Sequence, residues 1–229
     1  MRLNFDRAIS LVIALSAVAA ASAFVHREFL RSPSEQPASG GPRPPTRVRG
    51  WENIVALGLP ISRNQAPIVI AELGDFECPS CRSFAAALDE ALAVLRDSAS
   101  AVFVHYPLSY HRFARPAARA AECADRMGTF SALYALLYQK QDSLGLKSWT
   151  SYAREAGISD TAAFVACMQE ANEPARIQRG IEEGKRIAVA GTPTILINGW
   201  RLLSTPTADE LVRMVRAIAA GDTLFGAQD

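Results

Sequence analysis

Between residues 66 and 108 the chain runs through a strand-like segment, a turn carrying two cysteines, a helical repeat and a second strand-like segment. That order restricts the fold more than any other feature. The branched, apolar APIVIAEL at 66–73 reads as a buried strand. After the turn DFECP, residues Cys81, Phe84, Leu88, Leu92 and Leu95 recur at spacings of three and four. Those spacings mark one face of a helix. AVFVHYPL at 101–108 is again strand-like. Strand, helix, strand is a parallel crossover unit, so an α/β fold is expected.

The next eighty or so residues read as helices. Pro116 suits a first turn and Gly128 a helix end. Thr129 is placed to cap a helix with Phe130, Leu133, Tyr134 and Leu137 on one face. A further helix carries Trp149 and Tyr152 and stops at Gly157; Ser159 is the expected cap of the one bearing Phe164 and Cys167. Pro174 opens the last of the block, with Ile177, Ile181 and Ala188 on a stripe. Strand character returns in GTPTILING at 191–199, with a hairpin through Asn198-Gly199. The chain closes on an amphipathic helix capped by Thr207, with Leu211, Met214, Val215 and Ile218 inward.

The N-terminus has a different character. Arg2 and Arg7 precede an uncharged apolar run from Ala8 to Val25, long enough for a secretory signal or a short membrane anchor.

 Ala21, Ser22 and Ala23 read as a small-x-small cleavage site. Arg27 and Arg31 follow at once and favour a retained anchor. On either reading the rest of the chain is exported. From Arg31 to Gly50 the composition turns to Pro, Gly and Ser without an apolar period, which reads as an extended linker. A net charge of +1 gives no electrostatic case for nucleic acid, and no Gly-rich nucleotide loop is present.

Outside the cytosol disulfides persist, and four cysteines allow three pairings. Cys78 and Cys81 in DFECPSC have the spacing of a reactive dithiol; a structural disulfide and half of a zinc site are the other readings. Cys78 stands just before a helix that starts near Pro79, where backbone N–H groups and the helix dipole favour a thiolate. Pro79 costs nothing at a first helical position. Cys81 lies one turn in and more buried, so Cys78 is the expected attacker and Cys81 the resolving partner. Asp75 and Glu77 read as solvated turn residues that oppose the thiolate modestly.

FECPSC after a buried strand, with GTPT before a later one, resembles the thioredoxin superfamily. The helical block narrows the resemblance to DsbA-like exported thiol-disulfide oxidoreductases, over about 52 to 220. It implies a thioredoxin-like α/β fold with a helical domain inserted between the second strand unit and a cis-Pro loop. The expected organisation is a signal peptide or anchor at 1–30 and a linker at 31–50. A first thioredoxin-like part follows at 51–111, then the insert at 112–190, a second part at 191–222 and a tail at 223–229. By the same resemblance Cys78 is the nucleophile and Cys81 the resolving cysteine, and Pro193 is a cis-proline facing them. Thr192 pairs with substrate backbone. Glu72, six residues before Cys78, matches a buried acid that takes the proton of Cys81; a solvated carboxylate at a strand end is the other reading. Pro79 and Ser80 support the pair. Ser80 stands where the strongly oxidising members carry histidine, which leaves the direction of electron flow open.

Cys123 and Cys167 lie on apolar helical faces and are expected to bond, as some DsbA-like proteins carry a second disulfide in this block. Two separate buried thiols are the alternative. A metal is not expected, because this second pair lacks short ligand spacing. His105 and His111 read as strand and loop residues, and no cofactor is expected. The expected function is a disulfide-forming oxidase of exported cysteine-containing clients, with a reductase or isomerase, or a peptide-binding chaperone module, as alternatives. The resemblance implies a membrane redox partner, quinone-linked or similar to vitamin K epoxide reductase, at the periplasm or outer face of the membrane. The linker is too polar to dimerise, so a monomer is expected.

Overall fold

The computed structural model describes residues 46–62 and 64–221, together with Val18 and Ser22. The expected linker up to residue 45 and the tail at 223–229 therefore lie outside the described residues, as does the apolar run at 8–25 apart from those two positions. Among the described residues no helix is long and apolar enough to cross a membrane.

The strand–helix–strand reading corresponds to β3 (Ile68–Gly74), α2 (Pro79–Leu95) and β4 (Ala99–His105). The two strands pair in parallel from Ile68 opposite Ala99 to Gly74 opposite His105. Before them come β1 (Thr46–Arg47), α1 (Trp51–Ala56) and β2 (Leu59–Pro60). After them come the helices α3 (Ala114–Arg126), α4 (Phe130–Gln139), α5 (Trp149–Glu155), α6 (Thr161–Met168) and α7 (Ala175–Arg186). The hairpin β5 (Thr194–Ile197) and β6 (Trp200–Arg201) and the helix α8 (Ala208–Ala219) follow. The strands lie in the order β1-β6-β5-β3-β4-β2, and among the described residues only the β3–β4 pair is parallel.

Alternation along β3 sets the two faces of the sheet. Ile68 and Ile70 pack with Phe84, Leu88 and Leu95 of α2 and Leu211 and Val215 of α8. Ala71 and Leu73 face the other way, into a cluster with Ile54, Val104 and Leu196. Glu72 continues the register of Ile68 and Ile70, so a carboxyl occupies a core position. A third cluster joins Phe76, Cys81 and Phe103 to Phe130, Leu133, Leu137, Tyr152 and Phe164 of the helical block. Gly180 lets α7 meet the end of β4: a Cβ there would stand 2.3 Å from the His105 carbonyl oxygen.

Several local expectations change. Thr46 and Arg47, assigned by composition to the linker, pair with Arg201 and Trp200. Thr129 precedes α4, but its hydroxyl donates to the Ala124 carbonyl rather than capping the helix. Asp160, not Ser159, caps α6 by accepting from the Ala163 N–H. Ala188 lies beyond α7 at φ 53°, off the expected stripe. The hairpin turns through Asn198 and Gly199, both at positive φ, which suits Asn-Gly. Thr207 and Glu210 form a complete capping box on α8, a device worth about 1 kcal/mol.

Candidate active site

Cys78 is the N-cap residue of α2 and Pro79 its first helical residue. The backbone N–H groups of Cys81 and Arg82 donate to the Cys78 carbonyl at 3.1 and 3.2 Å, which closes the first turn. Both thiols are free. Cys78 retains 7% of its surface and Cys81 none, so the expected open attacker is itself largely covered. Its thiol donates to the Thr192 carbonyl at 3.3 Å, and the Thr192–Pro193 peptide bond is cis.

The two sulfurs sit in opposite electrostatic settings. Hydrogen bonding from the Cys81 thiol, with help from Thr192 and the N–H groups of Cys81 and Ser80, brings Cys78 down to about 5 against its burial. Burial, the hydrogen bond to Cys78 and the charge of Glu72 push Cys81 far above an ordinary thiol. At neutral pH the arrangement holds one thiolate and one thiol. Two such sulfurs can exchange bonds with an external disulfide, or lose two electrons and one proton to become a disulfide themselves.

Glu72 is completely buried. Tyr134 donates to its Oε2 at 2.7 Å and Tyr138 to its Oε1 at 3.3 Å. Burial pushes the carboxyl up to about 8, with the two tyrosines and Cys81 pulling it down. A group that titrates there can exchange a proton near neutrality.

Asp75 departs from the solvated turn residue expected of it. It is 1% exposed. Its Oδ1 accepts from the Glu77 N–H, and its Oδ2 accepts from the Leu108 N–H and faces His111 Nδ1, each at 2.8 Å. Glu77 is half-buried, and its carboxylate accepts from the Phe113 N–H. Both acids therefore hold the turn to the segment after β4, and neither is free in water. Gln141 is a further residue that sequence reasoning passed over. It is buried, and its amide donates to the carbonyls of Phe76 and Cys78 at 2.8 and 2.9 Å. Tyr134, expected on the apolar face of its helix, also donates a hydrogen bond there. Its spacing of four from Tyr138, on an otherwise apolar face, was the available signal, since buried tyrosine hydroxyls need partners.

Ser80 is exposed and contributes its backbone N–H. Ser80, Thr192, Pro193, Leu203 and Thr205 line an open groove of about 500 Å³ beside Cys78. Away from this site, Cys123 and Cys167 form a disulfide between α3 and α6, with Cα atoms 5.9 Å apart. His105 Nε2 lies 3.0 Å from Glu122 Oε1 in a second buried polar contact, between β4 and α3.

The thioredoxin family model matches residues 59–217. The Na(+)/H(+) antiporter NhaA 1 of Mycolicibacterium vanbaalenii is 34% identical over 158 residues, covering 68% of this chain and 25% of the antiporter. That of Salinispora arenicola is 30% identical over 184 residues, covering 76% and 28%. The chain thus spans about a quarter of the length of these curated relatives. Among solved structures, oxidised BdbD from Bacillus subtilis superposes with a TM-score of 0.62 at 16% identity, covering 76% of this chain and 94% of that one. The catalytic domain of Proteus mirabilis ScsC gives 0.62 at 19%, covering 74% and 95%. The oxidoreductase DsbA from Xylella fastidiosa gives 0.53 at 20%, covering 72% and 90%. At such identities the likeness to solved structures speaks for the fold alone. With the family match over most of the chain, the chain belongs to the thioredoxin family, with a DsbA-like fold and a polarised dithiol at the opening of α2.

Proposed function

We propose that the protein is an exported disulfide-forming oxidase of cysteine-containing client proteins, and that it acts through a mixed disulfide at Cys78. The observation that carries this reading is the place of Cys78, at the N-cap of α2 one turn from Cys81 and against Thr192, where its surroundings hold its titration down to about 5. A stabilised thiolate is a good leaving group and favours the reduced protein, which makes the disulfide form a stronger oxidant.

In the oxidised protein a client thiolate attacks Cys78 Sγ. The Cys78–Cys81 bond breaks, and Cys81 leaves as a thiolate and takes a proton from Glu72. A second client thiolate then attacks the client sulfur of the mixed disulfide and releases Cys78 as a thiolate. The client gains a disulfide, and the protein holds the two electrons until a membrane redox partner removes them. In that return step the Cys78 thiolate attacks the partner's disulfide and releases one of its sulfurs; Cys81 then hands its proton to Glu72, attacks Cys78 Sγ and releases the partner's second sulfur as a thiolate. Thr192 and Pro193, on the groove wall beside Cys78, receive the client backbone. Export rests on the apolar run at 8–25 and on the Cys123–Cys167 disulfide, a bond that persists in oxidising compartments. The run at 8–25 is either a cleaved signal or an anchor that keeps the domain near its redox partner.

The test is the reduction potential of the Cys78–Cys81 pair, with oxidation of a reduced, unfolded disulfide protein as the activity. The expected potential lies well above the roughly −270 mV of thioredoxin, toward the roughly −120 mV of strong oxidants. A thioredoxin-like value would make the protein a reductase. Activity that survives a Cys78→Ser, Cys81→Ser double change would make it a peptide-binding module.

A further inference from the structure

Tyr134 and Tyr138 are four residues apart on α4, so both rings leave the same face. Their hydroxyls reach different oxygens of Glu72. The surroundings of the two hydroxyls differ. Tyr138 Oη also lies 3.4 Å from the Asp75 carbonyl, which accepts the Cys78 N–H at 3.1 Å. A phenol has one proton to donate. Tyr138 therefore has two acceptors for one hydrogen: a Glu72 oxygen that is a strong acceptor when the carboxyl is ionised and a donor when the proton sits on it, and a carbonyl that accepts in either state.

From this geometry we infer that Tyr134 and Tyr138 are positioning residues for the proton transfer between Glu72 and Cys81, and that Tyr138 changes its hydrogen-bond acceptor as Glu72 titrates. With Glu72 ionised, both tyrosines donate to the carboxylate. With Glu72 protonated, the Tyr138 hydrogen turns to the Asp75 carbonyl, and its oxygen accepts from the carboxylic acid. No proton leaves either tyrosine; burial holds both phenols well above their ordinary range. One proton moves from Cys81 to Glu72 or back, and the buried carboxyl has a partner in both states. The two rings also line a cleft of about 680 Å³ with Ile61, Arg82 and Asp89, so the shell around the carboxyl is one side chain thick on that side.

The inference rests on the role proposed for Glu72, and three variants of the full chain separate the two ideas. The release rate of a small-molecule mixed disulfide at Cys78 is followed against pH, and the infrared absorption of the Glu72 acid gives its midpoint directly. Glu72→Gln is expected to abolish both the acid band and the corresponding pH inflection. Tyr134→Phe and Tyr138→Phe are expected to raise the midpoint by about one pH unit each, the scale of one lost hydrogen bond to a charged group. The phenol C–O band that disappears in Tyr138→Phe is expected to shift through the Glu72 midpoint in the unmodified protein. An inflection that survives Glu72→Gln removes the role of Glu72 and this inference with it. If Glu72→Gln abolishes the inflection but the tyrosine variants leave the midpoint in place, or the Tyr138 band is indifferent to pH, Glu72 keeps its role and the inference is overturned.

Discussion

Cys78 and Cys81 stand three positions apart at the opening of one helix, whereas Cys123 and Cys167 are separated by 44 positions and bridge two helices of the inserted block. Burial does not distinguish the pairs, because each has one member fully covered and one with 7% of its surface left. The electrostatic surroundings do. Cys78 faces the N–H groups of a helix opening and a neighbouring thiol that donates to it. Cys123 is the tenth residue of α3, among Ala120, Ala121 and Ala124, where the backbone N–H groups are already committed to the helix. A covered sulfur is thus reactive or inert according to the donors it meets, and the two pairs divide one element between chemistry and architecture.

Removing Cys78 is the strongest way to break that division. Cys78→Ser is expected to abolish disulfide formation in a reduced client, because a serine hydroxyl stays protonated where the thiol ionises near pH 5. Thermal unfolding should show the fold retained. Substantial residual oxidation would place the chemistry at another sulfur.

The converse change tests the architectural pair. A Cys123→Ser, Cys167→Ser double variant is expected to lose about 4 kcal/mol of stability, the chain-entropy cost of a loop of this size. For a domain of this length that lowers the melting temperature by about 10 °C. The potential of the Cys78–Cys81 pair should stay unchanged, measured by equilibration with glutathione. A moved potential would mean that the two pairs are coupled.

What could be read from the sequence was local. β3, α2 and β4 follow from periodicities that neighbouring residues create, and Cys78 falls at a helix opening because Pro79 starts the helix there. The unread parts are contacts over long separations. Glu72 meets Tyr134 and Tyr138 across 62 and 66 residues, and Gln141 reaches Phe76 across 65. Asp75 looked like a turn acid because nothing in its own neighbourhood shows that Leu108 and His111 close over it. Thr46 and Arg47 form a strand only because β6 offers an edge, and two residues carry no period to detect.

The pH dependence of stability sharpens the comparison further. Cys78 titrates near 5 in the folded reduced protein and near 9 in an unfolded chain, so its contribution is complete above pH 9 and is lost as pH falls through 5. Glu72 runs the other way: its contribution is complete below 4.5 and is lost as pH rises through about 8. Between pH 5 and 8 the folded reduced protein holds its proton on Glu72 and the unfolded chain holds its proton on Cys78. These two groups therefore cancel, and they leave the reduced protein nearly flat with pH. Oxidation removes the Cys78 contribution, so the oxidised protein is expected to lose stability relative to the reduced one by about 1.4 kcal/mol per pH unit in that window. Urea unfolding of both forms from pH 5 to 8 checks it. Parallel curves would mean that Cys78 is not ionised in the folded protein.

The smallest effect concerns Ser80, which stands between the two reactive sulfurs. Its backbone N–H reaches the Cys78 thiolate, and an alanine keeps that N–H. Ser80→Ala is therefore expected to move the Cys78 titration by less than about half a pH unit, read from thiolate absorbance against pH. Ser80→His should lower it further, because an imidazolium adds a charge that the hydroxyl lacks. If Ser80→Ala instead raised the titration by a full unit or more, a side-chain hydroxyl and not the helix opening would be holding the thiolate. The contrast with Cys123 would then rest on one replaceable residue instead of on the position of the cysteine in its helix.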